Sequence, residues 1–193
     1  MKKRDKNLLI AGAVGIVLGG VGMSLAGTND IVSPLKIRVD GEGDGNFGTS
    51  RLPPYNKHYG LDLEVKTGQR VYAPFSGTII LIPKALKDKD GYQGVRIMAD
   101  NGLKIDVLYI KPAVKANTRI KKGDLIGYAQ DITKAYSDTM KNHIHIEHFD
   151  PKTLTFLNPT SYYFGSSVVG SISEFSFQVS PEFYANYVAH QGE

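Results

Sequence analysis

The stretch Asn142–Phe149, which reads Asn-His-Ile-His-Ile-Glu-His-Phe, decides the fold of this 193-residue chain. It holds three of the five histidines, and isoleucines alternate with polar residues. Such alternation predicts a β-strand, whose successive side chains point to opposite faces. The two faces carry different sets: His143, His145 and Glu147 on one, and Ile144, Ile146 and His148 on the other. Two imidazoles side by side on a rigid strand suit a metal ion.

The other half of such a site has to come from elsewhere in the chain, and the segment His58–Asp62 is the candidate. Its histidine and aspartate lie four residues apart, a spacing that also fits a simple local hydrogen bond. A His-x-His pair is likewise common by chance, so spacing alone leaves both interpretations open. We expect Glu147 to orient an imidazole rather than bind the metal. We expect His148 to be an exposed histidine, and we assign no role to His190.

Composition excludes several classes of function. The formal net charge is +4, but the first seven residues hold four basic and one acidic side chain. Without them 19 basic (23 less 4) and 18 acidic (19 less 1) side chains remain, so no nucleic-acid partner is expected. The chain has no cysteine, which rules out disulfides, thiolate metal sites and cysteine nucleophiles.

The N-terminus has the pattern of a membrane anchor. Residues 1–7 form a basic tail, and the uncharged, largely apolar run 8–26 reaches about 28 Å as a helix, enough to span a bilayer. The basic tail predicts a cytoplasmic N-terminus and an exported remainder. A signal peptide cleaved after Ala26 is the alternative. Gly15 and Gly19 fit weak self-association of such helices, although chance explains this pair in a glycine-rich run.

The rest of the chain divides into three parts. Residues 27–46 are predicted to be a tether, in which Asp40–Asn46 only partly matches a calcium loop because Arg51 replaces its closing glutamate. Residues 47–164 have the closely spaced turns and short alternating runs of an all-β domain. Residues 165–193 form a tail without assignment, apart from a weak helical pattern near 181–188.

Six segments in this order resemble the lysostaphin/LytM-type zinc endopeptidases, which cut peptide cross-links in bacterial cell walls. They are Phe47-Gly48-x-x-Arg51, His58-x-x-x-Asp62, Gln69–Thr78, Val114–Gly127, His143–Glu147, and Asn158-Pro159 with Tyr162. The resemblance implies the duplicated hybrid motif fold. We therefore expect a compact antiparallel β-sandwich or open barrel, preceded by one transmembrane helix.

The resemblance also implies roles for individual residues. His58, Asp62 and His145 would hold zinc (Zn2+), and His143 would act beside it as a general base or transition-state stabiliser. Two imidazoles and one carboxylate leave a fourth tetrahedral position for water, as catalytic zinc sites require. In the family a further catalytic histidine occupies a Tyr-x-His segment. The matching position here is Lys111, so we expect Lys111 to supply the remaining catalytic group, as a cation that stabilises an oxyanion.

The sequence thus predicts a membrane-anchored zinc endopeptidase with peptidoglycan peptides as substrate, weakened where Lys111 replaces histidine. The loop 129–141 also departs from the family pattern, and we expect it to form one wall of the substrate groove. The alternative is a degenerate module that binds cell wall or regulates other wall hydrolases. An exported, membrane-tethered location is expected, with the membrane of a virus particle as the alternative.

Overall fold

The structure is a computed structural model that describes residues 30–53, 56–165 and 176–190. The predicted basic tail, the apolar run 8–26 and the pair Gly15 and Gly19 lie outside these residues. Within the described ranges, no helix is long and apolar enough to cross a membrane.

Short strands dominate the described residues, as the spacing of turn residues predicts. The strands are β1 (Val39–Asp40), β2 (Gly43–Asp44), β3 (Leu61–Glu64), β4 (Arg70–Tyr72), β5 (Gly77–Leu81), β6 (Gly94–Ala99), β7 (Lys104–Leu108), β8 (Ile110–Pro112), β9 (Arg119–Ile120), β10 (Leu125–Ala129), β11 (His143–Asp150), β12 (Thr155–Leu157) and β13 (Ser176–Gln178). The helices are α1 (Thr160–Phe164), α2 (Pro181–His190) and a 3₁₀ turn at Ile132–Lys134.

The strands form three antiparallel sheets. The largest has eight strands, in the order β13-β12-β11-β7-β6-β5-β9, with β3 also paired to β11. A second sheet has the order β4-β10-β8, and β1 pairs with β2. The predicted all-β antiparallel class is therefore confirmed for the described residues.

The longest strand, β11, lies in the middle of the large sheet. It pairs with β7 along one edge and with β3 and then β12 along the other. The alternation predicted for Asn142–Phe149 is present. Ile144 and Ile146 belong to the hydrophobic core, whereas His145 and Glu147 contact each other on the opposite face. We call the face with Ile144 and Ile146 the core face, and the face with His143, His145 and Glu147 the polar face.

The main hydrophobic core lies on the core face and includes residues of both larger sheets. Its members from β11 and β10, Ile144, Ile146 and Ile126, are fully buried. The expectation that His148 is exposed is wrong, since its residue is only 4% exposed. It shares a face with the isoleucines, and Phe75 together with Tyr162 and Tyr163 of α1 packs against it there.

The segment predicted to be a tether instead packs onto the domain. Ile31 and Val32 are buried in the main core, and Ile37 forms a bridge to Leu63 of β3. The Asp40–Asn46 run contains the small hairpin of β1 and β2. The domain therefore includes the segment from Ile31 onward and does not start at residue 47, because the apolar residues of this segment bury against the sheet.

The unassigned tail adds an edge strand and a helix. β13 pairs with β12, and α2 contains the weak helical pattern noted in the sequence. A second hydrophobic cluster joins α2 to the polar face of the sheet through Tyr59, Phe149, Phe156 and Tyr187.

Candidate metal centre

Strand register brings the predicted ligands together. Asp62 of β3 lies directly opposite His145 of β11, and His58 precedes β3 by one short turn. The Nδ1 atom of His145 lies 2.9 Å from Oδ1 of Asp62, and Nε2 of His58 lies 3.0 Å from Nδ1 of His145 and 3.1 Å from the same oxygen. All three residues are less than a tenth exposed. The two sequence motifs thus meet at one point.

The outward-facing ring nitrogens of both imidazoles have acceptors. Nδ1 of His58 lies 2.9 Å from the carbonyl oxygen of Asn46, and Nε2 of His145 lies 2.9 Å from Oε1 of Glu147. Each of these nitrogens donates its proton to that oxygen. The inward-facing Nε2 of His58 is then left as a lone pair, and the inward-facing Nδ1 of His145 either donates a proton to Asp62 or, once that proton is displaced, offers a lone pair to a metal.

The geometry of these three converging side chains suits a zinc ion, which would take the place of the proton on Nδ1 of His145. A tetrahedral ion with bonds of about 2.0–2.1 Å places its ligand atoms about 3.3 Å apart. The three distances observed, 2.9, 3.0 and 3.1 Å, need to widen by only a few tenths of an ångström. In the described part of the chain, His58, Asp62 and His145 are the residues grouped closely enough to hold a metal.

The pKa shifts also show that the site favours positive charge. Burial alone lowers the pKa of His145, but hydrogen bonds to Asp62 and Glu147 outweigh it and raise the pKa to about 10. Burial opposes ionisation of Asp62, yet His58 and the hydrogen bond from His145 hold its pKa well below the usual range. The carboxylate is therefore ionised and available as a ligand.

The second oxygen of Asp62 faces two arginines that sequence reasoning missed. Nε of Arg38 lies 3.5 Å from Oδ2, and Nη2 of Arg51 lies 3.8 Å from it. The backbone of Asp62 is also fixed, because it accepts from the amide of Arg38 and donates to the carbonyl of Gly45, both at 2.9 Å. The alternation Ile37-Arg38-Val39 is the sequence signal that could have placed Arg38 beside a strand.

His143 stands beside the cluster without joining it. Its Nδ1 donates to the carbonyl oxygen of Lys141 at 2.9 Å, and its Nε2 lies 3.9 Å from Oδ2 of Asp62. Burial lowers its pKa, although the charge of Asp62 partly opposes this. A neutral imidazole with a free Nε2 lone pair is what a general base needs.

Lys111 does not reach this site, contrary to the expectation from the sequence. It is exposed on β8, opposite Tyr128 of β10, and lines a separate surface hollow. Strand alternation explains its direction, because the preceding residue, Ile110, is fully buried in the core.

Tyr109 enters the cavity in place of Lys111. Its backbone is left-handed, with φ of +64°, which interrupts the alternation between β7 and β8. Its ring centre lies 5.6 Å from that of His143, with the planes perpendicular. Burial and the neighbouring Tyr136 raise the pKa of its phenol well above the ordinary value.

A cavity of about 920 Å³ opens onto the cluster. Tyr136 and Met140 of the predicted groove wall line one part of it, and the segment Ala85–Lys89 lines another. The wall is tied to the β1–β2 hairpin, since Oε1 of Glu42 accepts from the hydroxyls of Ser137 and Thr139. The cluster is thus lined on two sides by segments of chain that follow the edge of the cavity.

Glu147 and Tyr187 complete the surroundings of His145. Glu147 contacts the imidazole as expected, and its Oε1 also accepts a hydrogen bond from the hydroxyl of Tyr187 on α2. Sequence reasoning missed Tyr187, because only a weak helical pattern marked the segment that carries it.

An antiparallel β-domain in which two imidazoles and a carboxylate converge in a buried cavity defines a protein of the lysostaphin-like class. The chain belongs to peptidase family M23, whose sequence model matches residues 56–156. It resembles Leukocyte cell-derived chemotaxin-2 of Bos taurus, with 38% identity over 112 residues, covering 58% of this chain and 71% of that protein. The mouse (Mus musculus) protein of the same name is 32% identical over 124 residues, covering 64% and 76%.

Solved structures agree at the level of the fold. The antimicrobial peptidase lysostaphin from Staphylococcus simulans superposes with a TM-score of 0.53 at 19% identity. The match covers 75% of this chain and 57% of lysostaphin. The lysostaphin/LytM-type resemblance of the sequence is thereby confirmed.

Proposed function

We propose that this protein is a zinc-dependent peptidase that cuts peptide cross-links in bacterial peptidoglycan. The observation that carries the proposal is the convergence of His58, Asp62 and His145 at the end of an open cavity. Membership of peptidase family M23 and the lysostaphin-like fold support a peptidase related to peptidoglycan. A zinc ion bound here would polarise the scissile carbonyl and lower the pKa of a water molecule.

The side chains of this protein have separable tasks in such a reaction. His143 holds a neutral imidazole beside the cluster, and it accepts the proton of the attacking water at Nε2. Tyr109 stays protonated at neutral pH, so it offers an O–H donor and not a second base. Arg38 and Arg51 face the second oxygen of Asp62 at ion-pair distance, 3.5 and 3.8 Å, and so favour the orientation that turns the first oxygen to the histidines.

A second candidate function is a binding or regulatory module without hydrolysis. The observation that favours it is that Lys111, at the position where the family pattern has another histidine, lies outside the cavity, which Tyr109 lines instead. Among the described residues His143 is then the single histidine positioned as a base beside the ligand cluster. The chemotaxin relatives are also not named as peptidases.

One experiment separates these functions. Bound zinc is measured in the purified protein, and release of peptides from purified peptidoglycan is followed by mass spectrometry. We expect one zinc per chain and peptide release that disappears in His145→Ala. Zinc binding with no cleaved bond at high protein concentration would refute the peptidase. The module would then be tested by sedimentation with peptidoglycan and by stimulation of a wall amidase.

Tyr109→His provides the matched gain-of-function variant. If the tyrosine is what limits proton transfer, a histidine at this position should raise cleavage by about a hundredfold, which is the low end for a positioned acid or base. Lys111→His is the control, since this side chain lies outside the cavity.

We also propose that residues 8–26 anchor the protein in a membrane with the domain on the exported side. The uncharged run behind a basic tail supports this. Fractionation of cells that express the full chain tests it, and recovery in the soluble fraction with an N-terminus after Ala26 would instead establish a cleaved signal peptide.

A further inference from the structure

The C-terminal helix α2 lies against the metal centre, although it follows the residues matched by the family model, which end at 156. We infer that α2 is a working part of this centre, and that Tyr187 is a positioning residue that acts on His145 through Glu147. The inference rests on the proposed zinc site and assigns a role there to a segment outside the family match.

The contacts form a continuous path from the helix to the ligand. The hydroxyl of Tyr187 donates to Oε1 of Glu147, and the same oxygen accepts from Nε2 of His145 at 2.9 Å. The opposite ring nitrogen, Nδ1, faces Asp62 and His58. Tyr187, Glu147 and His145 are all less than a tenth exposed, so water does not easily replace either hydrogen bond.

This path fixes two properties of the ligand. Glu147 holds one proton of His145 on Nε2, so Nδ1, which faces Asp62 and His58, is the nitrogen that a metal would bind in place of a proton. Tyr187 holds Oε1 at one position, which restricts rotation of the imidazole out of the ligand cluster. Positioning of this kind raises metal affinity because the site needs less rearrangement on binding.

Packing of α2 against the sheet fixes the position of the Tyr187 hydroxyl group. Tyr184 stacks on Phe149 of β11 with ring centres 4.3 Å apart. Tyr187 packs edge-on against Phe156 and against Tyr59, which directly follows the ligand His58. Helix α2 therefore contacts both segments of chain that supply the ligands, one next to His58 and the other in β11.

Zinc affinity of the full chain, measured by competition with a chelator, tests the inference. Tyr187→Phe removes only the hydroxyl, and we expect affinity to fall about tenfold, the low end for groups that support metal ligands. Glu147→Gln should cost about 10–100-fold. Tyr184→Phe is the matched control on the same helix, and it should leave affinity unchanged.

A double-mutant cycle distinguishes positioning from general packing. If Tyr187 acts through Glu147, the double variant should lose no more affinity than Glu147→Gln alone. The visible spectrum of the cobalt(II)-loaded protein should change in Tyr187→Phe and not in Tyr184→Phe, because the spectrum reports ligand geometry. The melting temperature of the metal-free variants shows that each one is folded.

The outcomes are separable. Unchanged affinity and an unchanged cobalt spectrum in Tyr187→Phe would overturn this inference while leaving the zinc site intact. Additive losses in the cycle would also overturn it, because the hydroxyl would then act independently of Glu147. A wild-type protein that binds no zinc would overturn the proposed function itself.

Discussion

Acid should destabilise this protein through one buried histidine, His148. The imidazole lies on the core face of the sheet, packed edge-on against Phe75, and its Nε2 lies 3.1 Å from the hydroxyl of Tyr163. Burial lowers its pKa from 6.5 to about 3. Because the folded state binds its proton less readily than the unfolded state, stability is lost as pH falls below about 6.5 and levels off near pH 3.

The magnitude follows from these two values. Between the two pKa values the free energy of unfolding should fall by about 1.4 kcal/mol per pH unit from this residue alone. By pH 5 the accumulated loss is about 2 kcal/mol relative to pH 8. This figure barely depends on the folded-state pKa while that value stays below about 4, so it is a firm target for measurement.

The assay is denaturant unfolding of the metal-free protein at several pH values between 4 and 8, compared with His148→Gln. Other titrating groups contribute equally to both proteins, so the difference in slope isolates His148. Tyr163→Phe is the control, because it removes the hydroxyl partner but keeps the imidazole buried, and it should retain the steep slope. Equal slopes for wild type and His148→Gln would refute the burial argument.

Three further predictions concern the polar face and the site. Gly60→Ala should abolish tight zinc binding, because its Cβ would lie 2.5 Å from the ring atoms Cε1 and Nε2 of His145. Gly41→Ala, where the added Cβ meets open space, should leave zinc binding unchanged, and isothermal titration checks both variants. Arg96→Ala should lower the free energy of unfolding by about 3–5 kcal/mol, because it leaves Asp106 buried without the guanidinium that bonds both of its oxygens at 2.7 Å. Denaturant unfolding measures this loss, and a smaller value would mean that water reaches the carboxylate. Lys111→Ala should change neither zinc affinity nor peptide release, and a loss of either would place this lysine in the site after all.

Period-two alternation was enough to predict the arrangement of β11. It placed His143, His145 and Glu147 on one face, and it required no knowledge of partners. The meeting of His145 with Asp62 depends on cross-strand register, which spacing within either segment does not contain. Residue types made the segment His58–Asp62 a candidate partner, and the resemblance to a known family strengthened that link in advance.

The errors have physical causes in particular residues. The match to the family's Tyr-x-His segment put Lys111 in the site, but the left-handed backbone at Tyr109 breaks the alternation there and turns the tyrosine inward instead. The tether was inferred from glycines and acids, although Ile31 and Val32 carry the apolar surface that binds the segment to the core. His148 was assigned to the correct face, but its burial by Phe75 and by the tyrosines of α1 is a property of the whole fold.

The two faces of β11 explain why the metal centre and the C-terminal helix belong together. The polar face buries four charged side chains, each less than a tenth exposed, of which Arg96 and Asp106 pair with each other while Lys104 and Glu147 gain partners from the cover. Buried charges cost several kcal/mol each unless they gain partners, so the cover has to supply hydrogen bonds and aromatic faces as well as area. Helix α2 does so, because the hydroxyl of Tyr187 bonds Glu147 and the ring of Tyr184 lies 4.4 Å from Nζ of Lys104. A chain that places charged groups on this face of the sheet therefore needs a covering helix that carries hydroxyl groups and aromatic rings. The fixed orientation of the His145 imidazole follows from the contacts of that helix with Glu147.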